Sequence, residues 1–160
     1  MEETKNNTKT EERGLIVSDA TVFNEAETFQ FTTLDLSVME NKKALYNALQ
    51  QCDVKINDIK GQIIEVRDLY IEKKDVPERD EKTDEVITDE NGEVVTKKHF
   101  RTILIDTEGK TYVTAAYGVY NSLKQIIGIF GDPTPENPLT LKVGTKTLKG
   151  GKESLILTVE

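Results

Sequence analysis

The sequence predicts a mainly β protein built on a five-stranded barrel, with an N-terminal hairpin and helix and a protruding acidic β-arm. Two observations carry this prediction: the order of the strand and helix patterns, and the single amphipathic helix that interrupts the strands. The elements are a strand at Gly61–Glu72, a hairpin at His99–Asp106 and Lys110–Ala116, a helix at Gly118–Phe130, and a last hairpin at Leu139–Leu148 and Ser154–Val159. Strand, strand, strand, helix, strand, strand is the order of an OB-like barrel, a fold that binds oligonucleotides and oligosaccharides.

The first strand contains apolar residues that alternate with polar ones, except around Asp68. A β-bulge inserts one extra residue and shifts the alternation in this way. Small barrels need such a device to bend a strand sharply. We therefore expect a bulge or bend near Asp68.

The segment from Lys73 to Lys98 joins the first two barrel strands and carries most of the negative charge. Between Asp75 and Glu93 there are nine acidic and two basic residues, so this window accounts for −7 of the net charge of −8. Asn91-Gly92 stands between two apolar pairs and is a strong hairpin signal. The segment is predicted to be a β-arm, and the rest of the chain is close to neutral.

The second hairpin turns at residues 106–110, where Gly109 suits the left-handed position that follows a type I turn. This turn sets a register in which Ile105 faces Thr111, Leu104 faces Tyr112 and Ile103 faces Val113. One face then carries Ile103, Ile105, Val113 and Ala115 and is predicted to be the core. The opposite face, with Phe100, Thr102, Leu104, Tyr112 and Thr114, is predicted to be open. A slip of one residue would exchange the two faces.

The chain divides into three predicted regions. Residues 1–13 are polar and are expected to be disordered. Residues 14–57 form an N-terminal hairpin and helix extension, with the helix at about Glu40–Gln51. Residues 58–160 form the OB-like domain, with the acidic arm inserted at 74–97.

Composition limits the compartment. Cys52 is the only cysteine, so it is expected to be a buried thiol in a reducing environment. No apolar run approaches the length of a membrane helix, about 20 residues. The first residues contain no apolar signal region. These observations predict a cytoplasmic protein.

Enzymatic and cofactor-dependent functions find little support in the residues. His99 is the only histidine, so one chain cannot form a histidine pair for zinc. The phosphate-binding P-loop pattern is absent. The acidic residues of the arm resemble a Mg²⁺-binding nuclease cluster only in composition, since no buried scaffold holds them. The sequence predicts no enzyme, no metal and no cofactor.

Binding of single-stranded nucleic acid requires cations for the backbone and flat side chains for the bases. The predicted aromatic residues are Tyr70, Phe100 and Tyr112. The predicted cations border the two loops that flank the binding face of an OB barrel. They are Lys73, Lys74, Lys97, Lys98, Arg101, Lys110, Lys142, Lys146, Lys149 and Lys152.

The run from Thr102 to Tyr112 resembles a segment of the single-stranded-DNA-binding proteins of small, protein-primed phages of Gram-positive bacteria. The resemblance continues through Gly118–Leu123, Asn137–Val143 and the turn at Lys149–Lys152, and covers roughly residues 41–160. It implies coating of displaced single strands during viral DNA replication, without sequence preference. It does not by itself assign a stacking residue.

The resulting hypothesis is that single-stranded DNA lies across the face of Phe100 and Tyr112. The alternative is a non-enzymatic protein-interaction module that uses the acidic arm or the N-terminal hairpin. The arm has three open roles: repulsion of duplex DNA, recruitment of a basic replication protein, or packing against another copy of the chain.

Overall fold

The computed structural model describes Ile16 and Thr28–Glu160. Its elements, numbered in chain order, are β1 (Phe29–Thr32), α1 (Met39–Gln50), β2 (Val54–Lys55), a short 3-10 helix (Ile56–Ile59), β3 (Ile63–Pro77), β4 (Thr96–Asp106), β5 (Thr111–Thr114), α2 (Tyr117–Phe130), β6 (Leu139–Thr147) and β7 (Glu153–Val159). The predicted mainly β, OB-like fold is confirmed. The predicted tail and most of the predicted N-terminal hairpin lie outside the described residues, and the division into three regions stays a prediction.

Strand β3 organises the sheet. The strand order is β2-β5-β4-β3-β6-β7, and β1 also pairs with β3. One edge of β3 pairs with β4, while the other pairs first with β6 and then with β1. The register with β4 shifts between Val66 and Asp68. The predicted bulge is therefore present, and β3 exchanges β6 for β1 just beyond it.

The β4–β5 hairpin has the predicted register, from Ile105 opposite Thr111 to Thr102 opposite Thr114. Its turn is closed by the Gly109 N–H, which donates to the Asp106 carbonyl at 3.0 Å. The Asp106 carboxylate accepts two further backbone N–H groups at 2.9 Å each. Gly109 has a φ of +88°, the left-handed conformation that the predicted turn needs.

The acidic arm is a β-structure that extends β3 and β4. Isolated pairs join Arg79 to Val86 and Thr88 to Val94. Its outer turn repeats the β4–β5 turn: the Gly92 N–H donates to the Asp89 carbonyl at 3.0 Å. The Asp89 carboxylate accepts two backbone N–H groups, at 2.8 and 3.0 Å. The predicted β-arm is therefore confirmed.

Two apolar clusters lie on opposite faces of the sheet. The larger one packs α2 against β3–β7 and includes Leu104 and Tyr112. The smaller one packs α1 against the other face and includes Ile103, Ile105 and Tyr70. The predicted open face of the β4–β5 hairpin is thus wrong, since Tyr112 is only 9% exposed. Each face is covered by a different helix, and strand alternation alone cannot indicate that.

Candidate nucleic-acid interface

Four aromatic side chains lie together at the N-terminal end of α2, where the helix packs on β1 and β4. We use the name aromatic cluster for Phe29, Phe100, Tyr117 and Tyr120. The sheet register places Lys73 between Phe29 on β1 and Phe100 on β4. Directly opposite residues of adjacent strands project to the same face. These three side chains therefore continue the face that carries the larger apolar cluster.

Helix α2 contributes the other two rings. The Phe100 centroid lies 4.7 Å from that of Tyr120 and 5.2 Å from that of Tyr117. Phe29 reaches Tyr120 at 6.3 Å. Tyr120 is 4% exposed whereas Tyr117 is 59% exposed. The cluster therefore passes from the core to the surface within one turn of helix.

A cation stands beside these rings. The Lys73 Nζ lies 6.0 Å from the centroid of the Tyr120 ring, at the outer limit of a cation–π contact. Among the described residues Lys73 forms no ion pair with an acidic side chain. Binding of single-stranded nucleic acid requires aromatic rings for the bases and cations for the phosphates. Tyr117 supplies an exposed ring, and Lys73 supplies a cation that no carboxylate neutralises.

Two of the three predicted stacking residues are buried. Tyr70 is inaccessible; its hydroxyl donates to Glu72 at 2.7 Å and accepts from Gln30 at 2.8 Å. Burial is the main reason that its pKa is raised. The Tyr112 hydroxyl donates to Asp106 at 2.8 Å, and burial together with this carboxylate raises the pKa of Tyr112 to about 12. The prediction that these two rings face an open surface is wrong, and only Phe100 joins the aromatic cluster.

The predicted cations around the arm divide between the two faces of the sheet. Lys73 and Lys98 share the face of Phe100, while Lys74, Lys97 and Arg101 belong to the opposite face. Lys98 pairs with Asp75 at 2.7 Å. The structure therefore does not assemble these cations into one surface.

Glu72 neutralises two of the cations on the opposite face. Its buried carboxylate lies 3.2 Å from the Lys74 Nζ and 3.3 Å from the Arg101 Nη2. His99 Nε2 stands at 3.9 Å. Burial alone would raise the pKa of Glu72, but the Tyr70 hydroxyl, Arg101 and Lys74 outweigh burial and hold it below its ordinary value. This network connects β3 with β4 beneath α1.

The remaining predicted lysines lie elsewhere on the surface. Lys110 is exposed in the β4–β5 turn, and Lys142, Lys146, Lys149 and Lys152 are exposed on the β6–β7 hairpin. Lys142 is paired with Ile63 at the first residue of β3, so the hairpin tip extends past that end of the strand. Lys97 and Lys98 lie beyond the middle of β3, towards its other end. The lysines at the base of the arm and those of the β6–β7 hairpin therefore lie at opposite ends of β3.

Three rings of the aromatic cluster were not among the predicted site residues. Tyr120 shares the 3.6-residue spacing of the apolar residues in the predicted helix, and Tyr117 precedes the predicted start of that helix. Phe29 lies on a strand outside the five-stranded order. A helix beginning at residue 117 would have placed Tyr117 and Tyr120 on one face, since residues three apart are neighbours.

The described residues contain no group of three histidine, cysteine, aspartate or glutamate side chains arranged to hold a metal ion. Within the same part of the chain, every helix is too short or too polar to span a bilayer.

Comparison with known proteins identifies one family. The family model described as Phage Single-stranded DNA-binding protein matches residues 24–160, which include every described strand and helix. No curated protein and no solved structure matches the chain. Because the family model covers most of the sequence, the chain belongs to the phage single-stranded DNA-binding protein family.

Proposed function

We propose that the protein binds single-stranded DNA without sequence preference, and coats and protects displaced strands during viral DNA replication in the host cytoplasm. One observation supports this most strongly: Phe100 and the exposed ring of Tyr117 form a surface beside Lys73. Bases stack on such rings whatever their identity, because every base has a π-face. The bases of a duplex are already paired and stacked, so this surface favours single strands.

In this proposal the predicted residues have different roles. Phe100 contacts bases, and Lys73 contacts a phosphate next to them. The exposed lysines at positions 110, 142, 146, 149 and 152 provide further phosphate contacts along the strand. Lys97 lies on the opposite face of the sheet and is not among these contacts. Tyr70 and Tyr112 do not contact DNA but stabilise the fold. The ion pairs of Glu72 with Lys74 and Arg101 have the same structural role. Lys98 contributes only after it has separated from Asp75.

The direct test is a fluorescence titration with labelled oligothymidine at several salt concentrations. We expect binding at low salt and a linear fall of log K with log salt, because phosphate contacts release counterions. A parallel titration with oligouridine measures the preference for DNA over RNA. Absence of binding to oligothymidine at low salt would disprove the proposal.

A second candidate function is protein interaction through the acidic arm. Val86, Ile87 and Val94 are exposed on it, and apolar groups surrounded by charged ones are typical of a protein interface. A variant without residues 77–94 distinguishes the two functions. Retained DNA affinity together with loss of self-association or partner binding in size-exclusion chromatography would assign the arm to protein contacts. Higher DNA affinity with unchanged association would assign it to electrostatic repulsion of DNA.

A further inference from the structure

A groove opens beside the exposed ring of Tyr117. It has a volume of about 410 Å³ and is bordered by the first turn of α2, the start of β7, the loop before β3 and the β6–β7 turn. Its side chains include Asn57, Lys60, Tyr117, Leu148 and Lys152. Tyr117 also belongs to the aromatic cluster, through its contact with Phe100. The groove is therefore continuous with the surface proposed to stack bases.

The charge of the groove is suited to a phosphate. Lys60 and Lys152 both line it, and neither forms an ion pair with any described residue. Glu153 also lines the groove, so one carboxylate opposes two ammonium groups. By contrast, Lys74 and Arg101 share the Glu72 carboxylate, and Lys98 is paired with Asp75. The groove thus has one more cation than carboxylates, and neither of its lysines is held in an ion pair with a described residue.

The floor of the groove is closely packed. A Cβ atom added to Gly118 would overlap the carbonyl oxygen of Leu155 and the hydroxyl of Ser154. Ser122 reinforces the contact, since its hydroxyl accepts the Leu157 N–H at 3.1 Å. Helix α2 and strand β7 therefore form one closely packed wall of the groove. The first turn of α2 borders the groove, and the N-cap residue Ala116 provides no capping side chain, so the positive end of the helix dipole adds to the attraction for an anion.

We propose that this groove is a further nucleotide subsite of the DNA-binding surface. A base lies on the free face of Tyr117, and the next phosphate lies between Lys60 and Lys152. The strand then runs from the aromatic cluster towards the β6–β7 hairpin, away from the acidic arm. This inference rests on the proposed function, which already includes Tyr117 and Lys152, and it adds Lys60 to the contacts.

The test compares Lys60→Ala/Lys152→Ala with Lys42→Ala/Lys43→Ala, which removes two exposed lysines from α1. Each protein is titrated with oligothymidines of increasing length over a range of salt concentrations. For long oligonucleotides we expect the groove variant to lose roughly tenfold in affinity at low salt, and its salt slope to become shallower by about 0.7, the contribution of one single-strand phosphate contact. The shortest oligonucleotides that bind, which occupy only the aromatic cluster, should bind both variants equally well.

Three outcomes would overturn the subsite. Unchanged affinity and salt slope would exclude phosphate binding in the groove. An equal loss at every length would place the two lysines beside the aromatic cluster instead. Failure of the unaltered protein to bind any oligonucleotide would remove the proposed function and the subsite together, and is therefore distinguishable from the first two outcomes.

Discussion

The rings of Phe100 and Tyr117 meet nearly edge to face, with centroids 5.2 Å apart and an interplanar angle of 67°. Phe100 belongs to β4 and Tyr117 is the first residue of α2, so a strand and a helix from different parts of the chain form one aromatic surface. Edge-to-face packing holds both rings in place while more than half of Tyr117 stays accessible. A ring fixed in this way loses little conformational freedom when a base stacks on it.

Replacement of Tyr117 by alanine should weaken DNA binding. One base–aromatic stack is worth about 1–3 kcal/mol, so we expect affinity for oligothymidine to fall roughly 5- to 150-fold with little change in melting temperature. Tyr46→Ala is the matched control, because Tyr46 is 63% exposed on α1 and outside the proposed surface. Equal affinities of the two variants would exclude Tyr117 as a stacking residue.

Replacement of Tyr112 by alanine should instead destabilise the fold. The ring is buried in the larger apolar cluster, and large-to-small changes of aromatic residues in a core cost about 3–5 kcal/mol. Tyr112→Phe keeps the ring and removes only the hydrogen bond to Asp106, with an expected cost of about 1 kcal/mol. Urea denaturation measures both values. A Tyr112→Ala variant with unchanged stability and weaker DNA binding would restore the original assignment of Tyr112 to an open face.

Two glycines of α2 should respond in opposite directions to substitution by alanine. At Gly118 the added methyl group would overlap backbone and side-chain atoms of β7, which should destabilise the protein by about 1–3 kcal/mol. At Gly128 no atom lies within 4 Å of the added group, so the better helix propensity of alanine should stabilise by about 0.5–1 kcal/mol. Thermal unfolding of both variants checks the difference. Equal changes in melting temperature for the two variants would show that α2 is not in close contact with β7 at Gly118.

The buried Glu72 network should make stability depend on acid pH. The Tyr70 hydroxyl, Arg101 and Lys74 outweigh burial and hold the folded-state pKa of Glu72 below its ordinary value of 4.5. A carboxylate with a depressed folded pKa stabilises the fold above its unfolded pKa, and this contribution is lost as pH falls through the folded pKa. Glu72→Gln should therefore cost about 1–3 kcal/mol at neutral pH and have a flatter stability curve below pH 4.5.

Glu65→Gln is the control for Glu72→Gln. Glu65 is exposed on the same strand and forms no ion pair in the described part of the chain. The stability of the Glu65→Gln variant at acid pH should therefore follow that of the unaltered protein. Denaturant unfolding between pH 3 and 7 gives both curves. Identical curves for the two variants would remove Glu72 as the source of the acid sensitivity.

Local patterns in the sequence were sufficient for most of the elements and for the pairing within the β4–β5 and β6–β7 hairpins, but not for the pairing of β3 with β1 and β6. The Asp106–Gly109 turn determines that Leu104 faces Tyr112, because turn geometry sets hairpin register over a few neighbouring residues. The slip in alternation near Asp68 indicated the bulge, and helical spacing in 118–130 indicated α2. These features depend on residues close to one another in the chain, so they can be recognised without knowledge of the fold.

The open surface could not be predicted in the same way. Both faces of the β4–β5 hairpin are apolar enough to be buried, and a strand pattern does not say which helix covers which face. Tertiary packing decided that α2 covers Leu104 and Tyr112 while α1 covers Ile103 and Ile105. It also decided that Arg101 of β4 neutralises Glu72 of β3, a contact that requires the two strands to lie side by side.

The residues alone predicted the order of the barrel elements along the chain, the bulge, the register of the β4–β5 hairpin and the concentration of negative charge in the arm. Which aromatic side chains remain accessible depends instead on tertiary contacts, because accessibility is set by elements that are far apart in the chain. Phe29, Phe100, Tyr117 and Tyr120 come from β1, β4 and α2. They meet because the bent β3 brings β1 and β4 to its two edges, and because α2 packs across the face that they share.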